Sequence, residues 1–347
     1  MKRMKKYTLL LLSILLSFLC LGSSFCFALV KEPKDNPGIE KQTRKDFDWS
    51  RNIINIVLDV EASILGDSIF YDVKRGEVRK KDVETYWNEV LKEAKTKIKK
   101  PKKLSKETIR KVSMAIDGIL KEKGYKYESA QDYSILGFNL LSYGIIREQI
   151  NCLGYMFLYI SIGEHLSLPM SGICMPGHYS IQWKSKINWD STVAQLCNND
   201  AYIKWAKISQ RGIENGTYLR PLSKRKLVGI ALLNISQTLR AWRKLEEADE
   251  VLKKAICLFP HPDALNDMGL SFKKKGEYVA AIHYFNRAIE IDDNFAKAYS
   301  NRIIVLIKTG KNAVAKKDFE RLEKIDPDLA NDLKIYLINN EIYDKIN

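Results

Sequence analysis

Apolar residues recur at three-to-four spacing from late in the fifth decade of the chain, at Phe47, Trp49, Ile53, Ile54, Ile56, Val57 and Val60. That period keeps one face of an α-helix dry and predicts an amphipathic helix beginning near Phe47. Two more helices are expected over 81–98 and 105–123; Ser105 with Thr108 marks an N-terminal cap, and Gly124 a stop. The pattern changes between Glu148 and Trp189. Residues 151–162 read NCLGYMFLYISI, apolar nearly all round, which suits a helix buried on every side. Leu166 to Pro169 ends it, and the run Gly172-Ile-Cys-Met-Pro-Gly-His178 supplies turn chemistry around a short apolar piece. HYSIQW (178–183) and INWDST (187–192) are rich in β-branched and aromatic residues and read as two short strands joined at Lys184-Ser185-Lys186.

From about Leu227 the pattern is helical and repeats itself. Gly276 recurs as Gly310, Ala281 as Ala315 and Phe285 as Phe319, each 34 residues on, and Ala248 and Ala255 precede Ala281 and Ala288 by 33. Pro260 and Pro327 close units. A period near 34 with small residues where paired helices cross matches tetratricopeptide repeats. The middle unit fits best, with Met268-Gly269, Phe272, Gly276, Tyr278, Ala281, Phe285 and Ala288 in place. The first lacks the Gly between its helices and the third carries Ile303 where a small residue is usual, so the outer two read as worn or capping units. The tail from Ala330 to Asn347 is expected to supply a last capping helix.

The first 28 residues carry four positive charges, an apolar run from Tyr7 to Gly22 and a small-residue end at Cys26-Phe27-Ala28. This is the layout of a secretory signal, with an uncleaved membrane anchor as the competing reading. Residues 29–46 read as a linker, polar and broken by Pro33 and Pro37. Export to the periplasm or the medium would leave Cys152, Cys174, Cys197 and Cys257, too few for a disulfide scaffold, with Cys174 to Cys197 the one pair to consider. The net charge of +15 implies a basic surface. Its densest run, 92–111, has no interleaved aromatic residue, which argues against nucleic acid and leaves anionic lipid or cell-wall polymer as the electrostatic partner. Four scattered histidines without metal-ligand spacing give no metal or cofactor to expect.

One constellation can carry chemistry. A cysteine at the start of a buried helix gains from the helix dipole and from free backbone N–H groups that can donate to an oxyanion, and Cys152 lies where such a helix should begin. A nucleophilic thiol needs a base, and the base a partner that fixes its tautomer. His178 and Asp190 fit those roles if the two strands pair, because a hairpin returns Asp190 to His178. Asp190 could instead end its strand and cap the next helix through its side chain, with Ser191 and Thr192 as rivals. Gln149 could donate to an oxyanion or lie in the turn before the helix.

The segment INCLGYMFLYISIGEHLSLPMSGICMPGHYSIQW resembles the transglutaminase-like superfamily, specifically the bacterial SirB type. The features that carry the resemblance are Asn151-Cys152-Leu153, Leu166-Ser-Leu-Pro169 and Gly172-Ile-Cys-Met-Pro-Gly-His178, with trailing repeats. The resemblance implies an α+β fold, a papain-like core over 47–222 followed by an all-α repeat domain over 223–347, and a catalytic Cys152, His178 and Asp190. Two functions follow as expectations: a cysteine-dependent amide hydrolase or acyl transferase acting on protein or cell-wall peptide amides, or an inactive scaffold whose repeats bind peptide or protein.

Overall fold

The computed structural model describes residues 48–66, 68–72, 76–128, 140–184 and 186–346. The leader, the linker and Phe47 lie outside the described residues. Among the described residues, no helix is long and apolar enough to cross a membrane.

Helix α1 (Ile53–Leu65) leads into a hairpin of β1 (Ser68–Asp72) and β2 (Gly76–Arg79), then α2 (Lys80–Lys97) and α3 (Lys106–Glu122). Strands β3 (Lys126–Tyr127) and β4 (Gln149–Ile150) pair in parallel, with α4 (Leu141–Arg147) between them in sequence. Helix α5 (Cys152–His165) comes directly after β4. Next is an antiparallel meander of β5 (Met170–Met175), β6 (His178–Trp183), β7 (Asn188–Asp190) and β8 (Gln195–Cys197), then short helices α6 (Asn199–Trp205) and α7 (Gln210–Glu214).

Helix α5 is apolar all round, and it is surrounded accordingly. Every residue from Tyr155 to Gly163 is buried, against α1, α2, β5 and β6. One polar group on it, Ser161, is fully buried and joins three helices. Trp87 Nε1 of α2 donates to Ser161 Oγ (2.7 Å), which donates to Asn52 Oδ1 (2.5 Å), while Asn52 Nδ2 donates to the Ser161 carbonyl (2.9 Å). Asn52 is also the N-cap of α1, accepting from Ile54 N at 3.1 Å, so α1 starts six residues later than the apolar spacing suggests. The expected cap at Ser105 is present, with Ser105 Oγ accepting from Thr108 N (3.1 Å) and Thr108 Oγ1 from Ser105 N (2.8 Å). Glu61 of α1 is buried and accepts from Leu141 N (2.7 Å) and Ser142 N (3.1 Å), capping α4 from a distance; burial pushes its carboxyl up to about 7.

The sheet differs from expectation in two places. Residues 170–175 are not a turn around an apolar piece but a full strand, β5, in register with β6 from Met170↔Trp183 to Met175↔His178. The return is made at Pro176-Gly177, where Gly177 has a φ of +69°. Four consecutive positions of β5 are buried, so its pleat leaves no polar alternation to read. Strand β8 and the β1–β2 hairpin were likewise absent from the expected elements. A Cys174–Cys197 bridge does not fit: Cys174 lies on β5 and Cys197 on β8, at opposite edges of a four-stranded sheet, and both are free thiols.

The remaining helices pair in antiparallel fashion: α8 (Lys224–Ala241) with α9 (Leu245–Leu258), α10 (Pro262–Lys274) with α11 (Tyr278–Ile291), and α12 (Ala296–Lys308) with α13 (Asn312–Ile325). Helix α14 (Pro327–Asn339) closes the array, as the tail pattern suggests. The repeat logic is visible in contact: a Cβ at Gly269 would sit 2.5 Å from Phe285 Cε1, so α10 and α11 approach at a point that no larger residue fits. Gly276 (+78°) and Gly310 (+74°) make the turns within their pairs with positive φ, and in the first pair Arg243 (+62°) does so. The missing glycine is thus replaced by a strained arginine, at a cost of about 1 kcal/mol.

The array is stitched to the sheet by residues 215–222. Leu219 N and Leu222 N donate to the carbonyls of Cys174 (3.0 Å) and Gly172 (2.8 Å), extending the edge of β5. From the same segment, Tyr218 Oη donates to Asp292 Oδ2 (2.9 Å) and Asn215 Nδ2 to the Ile291 carbonyl (2.7 Å). Behind it, Cys174 Sγ donates to the Thr217 carbonyl at 3.1 Å, and His261 is buried with its ring edge-on to Tyr218.

Gly172 and Gly118 test this packing. A Cβ at Gly172 would meet Met156 Sδ at 2.5 Å and Ile160 Cδ1 at 2.9 Å, whereas one at Gly118 meets nothing within 4 Å. Gly172→Ala should therefore destabilise by roughly 1–3 kcal/mol. Gly118→Ala, in the interior of α3, should stabilise by roughly 0.5–1 kcal/mol. Urea unfolding midpoints of the two variants check both signs.

Candidate functional site

Cys152 is the first residue of α5, reached through a tight lead-in. Glu148 turns the chain with a φ of +60°, Gln149 and Ile150 pair with β3, and Asn151 caps the helix by accepting from Gly154 N at 2.8 Å. Gly154 is fitted to that lead-in, since a Cβ there would lie 2.7 Å from Ile150 Cγ2. The thiol is half-buried at the helix N-terminus, where first-turn N–H groups point towards incoming negative charge.

His178 opens β6 and Asp190 ends β7, both buried. The pairing Ile181↔Trp189 brings the two strands alongside, and His178 Nε2 lies 2.9 Å from Asp190 Oδ2. An ionised carboxylate only accepts, so Nε2 carries a hydrogen and donates it. That leaves Nδ1 as the ring nitrogen open to Cys152, which lies near enough to help raise the pKa of His178. Burial works against the imidazolium, but Asp190 and Cys152 outweigh it and raise the pKa of His178 to about 9. Burial likewise opposes the Asp190 carboxylate, and its bonds to His178 and Thr192 prevail, holding it below the usual range.

Asp190 does not cap a following helix. Its Oδ1 accepts from Thr192 N (3.1 Å) and Thr192 Oγ1 (2.6 Å), closing a local turn, while Oδ2 faces His178. Oδ2 also accepts from Tyr202 Oη at 3.2 Å, and Tyr202 Oη is 2.8 Å from Ser180 Oγ, which donates to the Trp189 carbonyl at 2.9 Å. Burial and the neighbouring Asp190 charge push the Tyr202 phenol far up, so it stays a donor. One strand residue back, Trp189 Nε1 donates to Asp117 Oδ2 (3.2 Å), whose other oxygen accepts from Tyr159 Oη of α5 (2.5 Å). Asp117 thus ties α3, α5 and β7 together beneath the site, and burial raises its carboxyl to about 6.

The residues singled out from sequence therefore divide. His178 and Asp190 are hydrogen-bonded, and Cys152 lies near enough to act on the imidazole electrostatically. Gln149 lies in β4 and lines a cleft with Glu61, Asn151 and Asn234, so it belongs to the lead-in of α5. His165 is the last residue of α5, and His261 and His283 lie in the repeats. Among the described residues, no cluster of His, Cys, Asp and Glu could hold a metal ion. Tyr202, Ser180 and Trp205 were not anticipated. Trp205 stands edge-on to His178, with ring centroids 5.4 Å apart and planes at 84°. Nothing in the linear pattern of α6 separates these aromatics from ordinary core residues.

Comparison with known proteins bears on the second half of the chain. Residues 230–261 and 262–295 match models of the tetratricopeptide repeat. No curated protein matches the chain. Among solved structures, the first repeat domain of Spaghetti (RPAP3) bound to an HSP90 peptide is 21% identical with a TM-score of 0.29, over 33% of this chain and 93% of that one. YrrB, described as a repeat protein with an unusual peptide-binding site, is 19% identical with a TM-score of 0.28, over 35% and 73%. The helical array after the sheet is thus a tetratricopeptide-repeat region, as the period near 34 predicts.

The charge balance at His178 is open to measurement. Its pKa in the folded chain, about 9, exceeds the ordinary 6.5, so its contribution to stability is complete below pH 6.5 and is lost as the pH rises through 9. In Asp190→Asn the carboxylate is gone while burial remains, so the imidazole should titrate lower than in the unaltered chain. NMR titration of His178 in both proteins reads this directly.

Proposed function

We propose that the protein is an exported, transglutaminase-like enzyme that breaks peptide amides through a Cys152 thioester. The observation that supports this reading is the 2.9 Å hydrogen bond that fixes His178 to the buried Asp190, with the half-buried Cys152 thiol at a helix N-terminus near enough to act on the same imidazole. In the proposed reaction the Cys152 sulfur attacks the amide carbonyl while first-turn N–H groups of α5 donate to the developing oxyanion. His178 passes a proton from Nδ1 to the leaving amine, the C–N bond breaks, and a thioester remains. Water or an amine then attacks, giving up a proton to His178, and the free thiol is restored. Asp190 keeps the imidazole in the required tautomer throughout.

A second reading is favoured by the matches at 230–295: a peptide- or protein-binding scaffold. The first helices of the pairs carry a row of amide and charged side chains, in which Gln237 Nε2 donates to Asp267 Oδ2 (3.1 Å) and Asn301 Nδ2 to Asn266 Oδ1 (3.0 Å). Such a row suits an extended peptide backbone, and the two readings combine if the repeats deliver a polypeptide to the thiol.

Iodoacetamide separates them. Under the enzymatic reading, Cys152 is alkylated at pH 7 roughly tenfold or more faster than Cys197, and His178→Ala removes the difference. Equal rates at the two thiols, or full activity on a substrate in Cys152→Ala, would leave the scaffold alone.

A further inference from the structure

Two rows of side chains meet on the first helices of the second and third repeat pairs. Asn266, Leu270 and Lys273 follow one another by a turn on α10, and Asn301, Ile304 and Lys308 do so on α12. Hydrogen bonds hold the rows side by side: Asn301 Nδ2 donates to Asn266 Oδ1 (3.0 Å), and Lys273 Nζ donates to Asn301 Oδ1 (3.5 Å). Ile338 of α14, which packs beside α12, stands 34 residues after Ile304, as Ile304 does after Leu270, and it is 51% exposed. Lys273 is half-buried, and its charge is out of balance. Burial and the like charges of Lys308 and Lys274 lower its pKa, and no carboxylate is among the groups that act on it. Lys275, by contrast, is paired with Asp249 at 2.8 Å. An ammonium placed as Lys273 is placed gains most from an anion supplied from outside the chain.

We propose that this face takes an extended, acidic polypeptide segment, its carboxylates on Lys273 and Lys308 and its aliphatic side chains against Leu270 and Ile304. The amide side chains of Asn266 and Asn301 bond each other and can exchange that bond for a backbone N–H and C=O of the segment. The aliphatic neighbours favour a polypeptide over a small inorganic anion, which would leave them in water. The proposal rests on the reading of the repeats as a peptide-binding scaffold, adds the chemical class of the peptide to it, and is independent of the Cys152 thiol.

The test uses the full chain and fluorescein-labelled peptides of equal length built from Leu and Asp, or from Leu and Asn, with binding read by fluorescence anisotropy. The Leu–Asp peptide should bind about fivefold tighter than the Leu–Asn peptide, as two partly exposed ion pairs provide, and the preference should shrink at high salt. Lys308→Glu, at an exposed position that leaves the fold intact, should bring the ratio of the two affinities to one or below by weakening the Leu–Asp peptide alone. Ile338→Asn, also exposed, should weaken both peptides and leave their ratio unchanged. Equal binding of the two peptides by the unaltered chain, or displacement of the Leu–Asp peptide by inorganic phosphate at matched ionic strength, would overturn the acidic-peptide assignment and leave the scaffold reading standing. No binding of either peptide would overturn the scaffold reading beneath it.

Discussion

A helix that is apolar on every side cannot rest on a surface. It must be enclosed, and the enclosure of α5 organises the first half of this protein. Helices α1 and α2 cover it on one side and strands β5 and β6 on another. Its interior is committed to packing, with the Ser161 and Tyr159 hydroxyls its reaches to polar partners, and its two ends are held by polar groups. One end is received by Asn52 and by Ile53 N, which donates to Glu164 Oε2 at 2.8 Å, so that the helix cannot slide along its axis. The other end carries Cys152. A thiol at the tip of an immobilised post has a well-defined position, which is what a nucleophile needs and a packing cysteine does not.

The carboxylate of Asp190 obeys a similar economy. Two donors from Thr192 occupy one oxygen, and His178 and Tyr202 share the other. Removal from water is offset by four hydrogen bonds, so the group stays ionised in a buried place and can orient an imidazole. Below it, Asp117 joins Trp189 to Tyr159, so the strand that bears Asp190 is referenced to the helix that bears Cys152. The helix that bears Cys152 and the strand that bears Asp190 are thereby held together through one carboxylate and two aromatic side chains.

Much of this was legible in the residues. The all-round apolar run announced α5, and polar residues planted at the starts and ends of elements marked Cys152, His178 and Asp190. The repeat period exposed the paired helices, including the weak outer units. The hidden elements share a physical cause: burial on both faces removes the alternation that betrays a strand, so β5 passed for a turn beside Pro176-Gly177. Tyr202 and Trp205 were unreadable because an aromatic residue that supports a site looks, in one dimension, like one that fills a core. The Arg243 turn was hidden for a different reason, since positive φ is expected of glycine and here tertiary packing imposes it on another residue.

The stitching at residues 215–222 has a consequence for how the chain can be divided. A boundary near residue 222 is natural in the sequence, where the repeats are about to begin. In space the edge of β5 is completed by Leu219 and Leu222, and the segment that completes it also grips Asp292 and Ile291 deep in the second helix pair. Cutting there would leave the β5 edge covered, but Tyr218 Oη and Asn215 Nδ2 would lose their acceptors on one fragment, and Asp292 and the buried His261 would be laid bare on the other. The two halves are modules in ancestry of pattern but a single mechanical body in hydrogen bonding, so a force or a ligand that shifts the repeats pulls on the strand paired with the one that begins at His178.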